Sequence, residues 1–183
     1  MKKFMLVAVV AFVGLSASAV SAQENPMVGG AAMLRSRNIV ENALNSQDHT
    51  TLVAAVKAAG LAETLAGKGP FTVFAPTNAA FDKLPAGAVE GLLKPENKGA
   101  LTKVLTYHVV AGKYDAKKLA QAIRKGNGTA TLKTVSGGTL TAMMSGGAVV
   151  LRDEKGGTST VSIADVRQSN GVIHVIDAVL MPN

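Results

Sequence analysis

His49, His108 and His174 are the only imidazoles in the chain, and none has a partner at a spacing that chemistry would need. A catalytic zinc takes three protein ligands, usually histidines and carboxylates, yet no His-x-x-x-His or Glu-x-x-His pair occurs. Nucleophilic catalysis needs an oriented hydroxyl or thiol beside a base. The sequence has no Gly-x-Ser-x-Gly turn and no cysteine. The missing cysteine also excludes disulfides, thiolate-bound zinc, iron–sulfur clusters and a lipid-modified Cys. No catalytic residue, metal or cofactor is therefore expected, and a hydrolase has no motif in its favour.

Four polar residues remain that could recognise a partner. Tyr107 and His108 are adjacent, so in a strand they would point to opposite faces. They could form a recognition pair. The structural reading is favoured for both: a buried tyrosine, and a histidine whose ring bonds to backbone. His174 alternates with Val172 and Ile176, and Asp177 shares the other face with Ile173 and Val175. Within one strand they cannot meet as a dyad, and Asp177 on an apolar face needs a turn or backbone partner. Asn127-Gly128-Thr129 matches a glycosylation sequon by pattern alone. Gly126-Asn127-Gly128 is too short for a phosphate loop.

The elements that must position these residues fall into two halves. Ile39, Val40, Ala43 and Leu44 recur at helical spacing, and Leu52, Val53 and Val56 form a second stripe ended by Gly60. Phe71 to Ala75 is a short β-prone run stopped by Pro76. Thr77 or Asn78 can cap a helix carrying Phe81, Asp115 can cap another, and Pro85 and Pro95 suit first helical turns. After Gly126, Gly-Gly and Asn-Gly pairs separate short runs at 129–135, 139–144, 148–152, 158–163 and 172–180. Such pairs tolerate the positive φ of hairpin turns, so this half reads as an antiparallel meander. Residues 172–180 are apolar on both faces and should form a central strand. Helices first and hairpins second predict an α+β domain, a small β-sandwich flanked by helices.

The N-terminal segment reads differently. Lys2-Lys3, an apolar run from Phe4 to Leu15 and small residues up to Ala22 are the three parts of an export signal. Cleavage after Ala22 is expected, with Ala19 as the alternative. Residues 23–37 read as a flexible tail, and no later stretch is long and apolar enough to span a membrane. The formal charge is +7, or +5 without Lys2 and Lys3. Such a surface suits anionic partners. Nucleic acid is not expected, since export argues against it and 4% aromatics with no Trp leave little to stack on bases. Lys113, Lys117, Lys118, Arg124 and Lys125 cluster around the Asp115 helix and with Lys98 and Lys103 could form a basic face. The plain alternative is a solvated helix surface.

Three segments in order resemble the fasciclin (FAS1) domain family. Phe71-Thr72-Val73-Phe74-Ala75-Pro76-Thr77-Asn78-Ala79-Ala80-Phe81 is similar to its first box, Tyr107-His108 to its central motif, and Asn170 to Asp177 with Leu180 and Pro182 to its second box. The resemblance covers about residues 38–182 and assigns 38–183 to one domain. It implies a wedge-shaped sandwich of about seven strands with helices. It further implies adhesion or protein contact outside the cytoplasm, in the single-domain secreted form typical of bacteria. Candidate motif residues are then Tyr107, His108, Asp165, Asn170, His174 and Asp177. Asp165-Val166 takes the place of an Asp-Ile pair that some animal members use for receptor adhesion, but Ile163-Ala164 replaces the preceding Glu-Pro. The expected partner is an extracytoplasmic protein or an anionic polysaccharide or surface, and the expected state a monomer. The rival is a carrier of a small apolar ligand between sandwich and helices, with Met143 and Met144 as a soft lining.

Overall fold

The computed structural model describes residues 25–183. The export signal read over residues 1–22 lies outside them. The chain runs as a short hairpin, β1 (Met27–Val28) and β2 (Ala31–Ala32), then α1 (Ile39–Asn45), α2 (Thr50–Ala59) and α3 (Ala62–Ala66). Strand β3 (Phe71–Pro76) is followed by α4 (Asn78–Asp82), α5 (Ala88–Leu93), α6 (Lys98–Tyr107) and β4 (Val109–Ala111). Helix α7 (Ala116–Lys125) leads into β5 (Thr129–Lys133), β6 (Thr139–Ser145), β7 (Ala148–Arg152), β8 (Thr158–Gln168) and β9 (Gly171–Ile176).

Seven strands make one sheet in the order β4-β3-β9-β8-β7-β6-β5. The meander β5 to β9 is antiparallel throughout, whereas β3 and β9 pair in parallel, Phe71 opposite Gly171 and Pro76 opposite Ile176. The sheet curls until its ends meet: Val135 N–H donates to the Val109 carbonyl at 2.8 Å, and Val110 bridges Thr134. This near-barrel with helices is the mixed α+β fold expected.

Because side chains alternate along a strand, β3 and β9 feed two cores. Phe74 and Ile176 point into the curled sheet, where they join Tyr107, Leu119, Leu140 and Leu151. Val73, Ala75, Ile173 and Val175 point outward and are covered by Ile39, Leu52, Val56 and Leu105 of the helices. Helix α7 lies against β5 and β6 with Leu119 and Ile123 turned into the inner core. The start of the parallel pair is tight: a Cβ on Gly171 would collide with the Phe71 carbonyl oxygen.

Local signals explain most boundaries. Asn38 and Glu41 form a reciprocal capping box on α1. Gly60 ends α2 with φ +72°, and Thr77 and Asp115 cap α4 and α7 through their side chains.

Several expectations need correction. Tyr107 and His108 are not in a strand: Tyr107 is the last residue of α6 and His108 its C-cap. The expected tail of residues 23–37 is not free from Met27 onward, since β1 and β2 pair there and Val28 and Met33 are buried. Leu44 is half exposed, while Asn42 takes the inward position on α1. Pro85 precedes a turn and not the first turn of α5, which starts after Gly87. Strand β8 extends to Gln168, and β9 stops at Ile176, leaving Asp177 just past the strand. Among the described residues no helix is long and apolar enough to cross a membrane.

Candidate functional site

His108 sits at the junction of α6, β4 and the C-terminal segment, 3% exposed. Its Nδ1 lies 2.8 Å from the Val104 carbonyl, and its Nε2 lies 3.0 Å from the Leu180 N–H. A carbonyl only accepts and an amide N–H only donates. The ring is therefore the neutral Nδ1–H tautomer, donating to Val104 and accepting from Leu180. Protonating Nε2 would break the second bond. Burial pushes this imidazole down to about 4, opposed only partly by the Val104 carbonyl. Tyr107 fills the inner core beside it. Its hydroxyl donates to the Thr139 carbonyl at 2.6 Å and accepts from the Glu154 N–H at 3.1 Å, tying α6 to β6 and to the turn after β7. The ring also explains Gly138, whose Cβ would stand 2.8 Å from Tyr107 Cε2. Burial raises the phenol to about 12, so it stays protonated.

His174 points from β9 into the same curled sheet and stacks on Phe74, with ring centroids 5.6 Å apart. Its Nε2–H donates to the Tyr114 carbonyl at 2.7 Å, and its Nδ1 faces the Asp165 N–H at 3.4 Å. Asp165 lies in a bulged part of β8 with φ +59°, and its carboxylate accepts from the Ala116 N–H at 2.6 Å. The Asp165-Val166 step thus clamps the first turn of α7 to the sheet. Arg167, 3.7 Å from Asp115, adds a second tie to the same turn.

Asn170 works as a three-way knot. Its side-chain oxygen accepts from Ile39 N–H, and its amide donates to the carbonyls of Leu65 and Gly67, so α1, α3 and the β8–β9 turn share one side chain. Asp177 accepts from Thr160 N–H at 2.7 Å and from the Ser159 hydroxyl, and lies 3.9 Å from Lys83 Nζ. His49, on the short 3₁₀ turn Gln47–His49, is buried with Nδ1 2.8 Å from Ser46 Oγ.

The three histidines therefore serve three separate joints. Among the described residues no group of three or more His, Cys, Asp or Glu could hold a metal. Two apolar cavities lie between helices and sheet. One of about 40 Å³ includes Leu52, Val73, Leu105 and His108; another of about 30 Å³ includes Val28, Met33 and His49. Neither includes Met143 or Met144, which stand on β6 with Met144 exposed.

The basic residues divide. Lys113, Lys118 and Lys125 line one open groove of about 370 Å³ with Gly112, Tyr114 and Gln121. Lys117 and Arg124 are exposed on α7 but line neither this groove nor the neighbouring cleft. Lys98 stands over Gly60, and Lys103 donates to the carbonyl of Asn183, so neither joins the groove. The neighbouring cleft, about 670 Å³, is lined by Ser36, Asn38, Lys68, Ser169 and Asn170 and shares Lys113 with the groove. Sequence reasoning missed Lys68 and Tyr114, because nothing local connects residue 68 with residue 113. It also missed Asn42, buried by bonds to Leu34 and Gln168, and Asn78, whose side chain accepts from the Thr51 N–H and donates to the Gln47 carbonyl.

Burial lowers all three imidazoles below their ordinary value of 6.5. The unfolded chain then binds more protons than the folded one wherever the pH lies between the two values. Folding stability should be fully present above about pH 6.5 and fall as the pH drops, for His108 down to about 4. Urea unfolding midpoints at a series of pH values check this. A midpoint unchanged between neutral pH and the lower value would contradict the buried, neutral rings.

Comparison with known proteins agrees with this geometry. The Fasciclin domain family model matches residues 47–182. A protein of Synechocystis sp. named sll1483 is 48% identical over 160 residues, covering 87% of this chain and 82% of its own. The cell surface glycolipoprotein MPB83 of Mycobacterium bovis is 31% identical over 175 residues, covering 93% of this chain and 72% of its own. A FAS1 domain pair from the insect cell adhesion molecule Fasciclin I superposes with a TM-score of 0.71 at 20% identity, over 79% of this chain and 51% of that one, and so shares the fold. The near-barrel sheet, the three boxes at its joints and these matches together place the chain in the fasciclin domain family.

Proposed function

We propose that this chain is an exported binding module, holding a protein or polysaccharide at the cell surface, in the matrix or in the periplasm, and that it is not an enzyme. The observation that carries this reading is the direction of its polar groups. Tyr107, His108 and His174 are buried and bonded to backbone, whereas Lys68, Lys113, Lys118 and Lys125 face open clefts. Reactive groups consumed by the scaffold leave the outer surface as the working part. The name of the cell surface relative and of the adhesion molecule that shares the fold point the same way. The export signal read over residues 1–22 supports a role outside the cytoplasm. The carrier reading has less support: cavities of about 40 and 30 Å³ are far below the roughly 150 Å³ that accommodates a benzene-sized guest.

Capture from the organism's own cell envelope tests the module. Bound material should fall several-fold when salt rises from about 0.1 to about 1 M, since the screening length shrinks from about 10 to about 3 Å. Protease or periodate treatment of the envelope should abolish capture, according to whether the partner is protein or polysaccharide. Capture that resists both treatments and salt would contradict the reading. Intact-mass analysis of the native protein checks export: a chain starting at Gln23 outside the cytoplasm is expected, and full-length chain confined to the cytoplasm would contradict it.

A further inference from the structure

We propose that the cleft around Lys68 and the groove along α7 form one track for an acidic polysaccharide, with Lys68, Lys113, Lys118 and Lys125 meeting carboxylates on successive sugars. The proposal rests on the binding-module reading and deepens it. The two depressions adjoin at Lys113, which lines both. Lys118 and Lys125 are seven residues apart on one helix, so they lie on one face, separated by roughly 10.5 Å along the axis. Lys118 Nζ donates to the backbone carbonyl of Lys113 at 3.1 Å, which ties the Lys118 ammonium to the loop that both depressions share.

Charge complementarity singles out an anion. The α7 groove contains three lysines and no carboxylate. The one carboxylate of the cleft, Glu41, is engaged by the Asn38 N–H in the capping box of α1. Lys118 also occupies the first turn of α7, where the helix dipole disfavours cations. A polyanion laid across that turn relieves the conflict.

The remaining lining fits a sugar chain better than a bilayer or an apolar protein patch. The exposed large hydrophobic residues among those described are Met27, Leu44, Val135 and Met144, and none lines the track. A membrane surface or a protein hot spot needs such anchors. The track instead offers hydroxyl and amide groups from Ser36, Asn38 and Ser169, and the half-buried ring of Tyr114 as a flat wall.

Titration of the full chain with alginate oligomers, with neutral dextran and with phosphatidylglycerol vesicles tests the assignment. Alginate should bind, dextran should not, and vesicles should bind less than alginate. The double variant Lys118→Glu/Lys125→Glu should lose about tenfold or more in alginate affinity, while Lys117→Glu/Arg124→Glu should lose less than about threefold. The two variants change the net charge equally and each alters one residue in the first and one in the last turn of α7; thermal unfolding confirms both are native. Equal losses would show an effect of net charge alone and overturn the track. Absence of alginate binding, or preference for vesicles, would overturn it too. If envelope capture persists in that case, the module reading stands without the track; if capture also fails, both fall.

Discussion

Two strands from opposite ends of the domain, β3 and β9, run parallel with both faces covered, and the rest of the molecule is arranged around that constraint. Every residue of β9 is buried, and so is every residue of β3 after Phe71. Such a pair cannot be joined by a hairpin and needs crossover chain between its members. Here the crossover is most of the protein: helices α4 to α7 and the meander. The pair divides the interior into an inner core within the curled sheet and an outer core beneath α1 to α6.

The ends of a doubly covered pair expose backbone groups that water cannot reach, and each unpaired one would cost about 1–3 kcal/mol. The polar residues of the family boxes meet that demand. His108 bridges the end of α6 to the C-terminal segment, His174 joins β9 to the loop before α7, and Asn170 gathers α1 and α3 at the start of β9. Asp165, in the irregular part of β8, accepts the Ala116 amide hydrogen at the start of α7, and Asp177 accepts that of Thr160 near the start of β8. This is why the tyrosine and histidines that look available for chemistry in a linear sequence are, in space, buried and bonded to backbone. The surface that remains is lysine-rich and concave where α7 meets the loops.

What the sequence discloses follows from the range of each interaction. Caps at Thr77 and Asp115, the turn glycine Gly60 and the Gly-Gly hairpins act over a few residues, and they were legible. Parallel pairing of Phe71 with Gly171 joins residues a hundred positions apart, and no local pattern reports it. Tyr107-His108 reads as strand because the apolar run of α6 continues into Val109-Val110 without a breaker; the helix ends there through tertiary contacts, not through glycine or proline. The inward place of Asn42 has no local signal, because a buried amide is costly unless paired and its partner Gln168 is far away in sequence. The basic cluster on α7 was legible as a charge run. Its extension to Lys68 was not, since only the fold brings that loop beside Lys113.

If box residues build the scaffold and the outer surface does the binding, the buried rings must be neutral and fixed. Nitrogen-15 NMR of the imidazoles at a pH about one unit below 6.5 tests this most directly. The account predicts single, unaveraged tautomers, Nδ1–H for His108 and Nε2–H for His174, with the His108 ring unprotonated and His174 titrating below its ordinary value. Rings that titrate at an ordinary histidine value, with averaged tautomers, would contradict it and return Tyr107-His108 and His174 to the list of groups free to act on a partner.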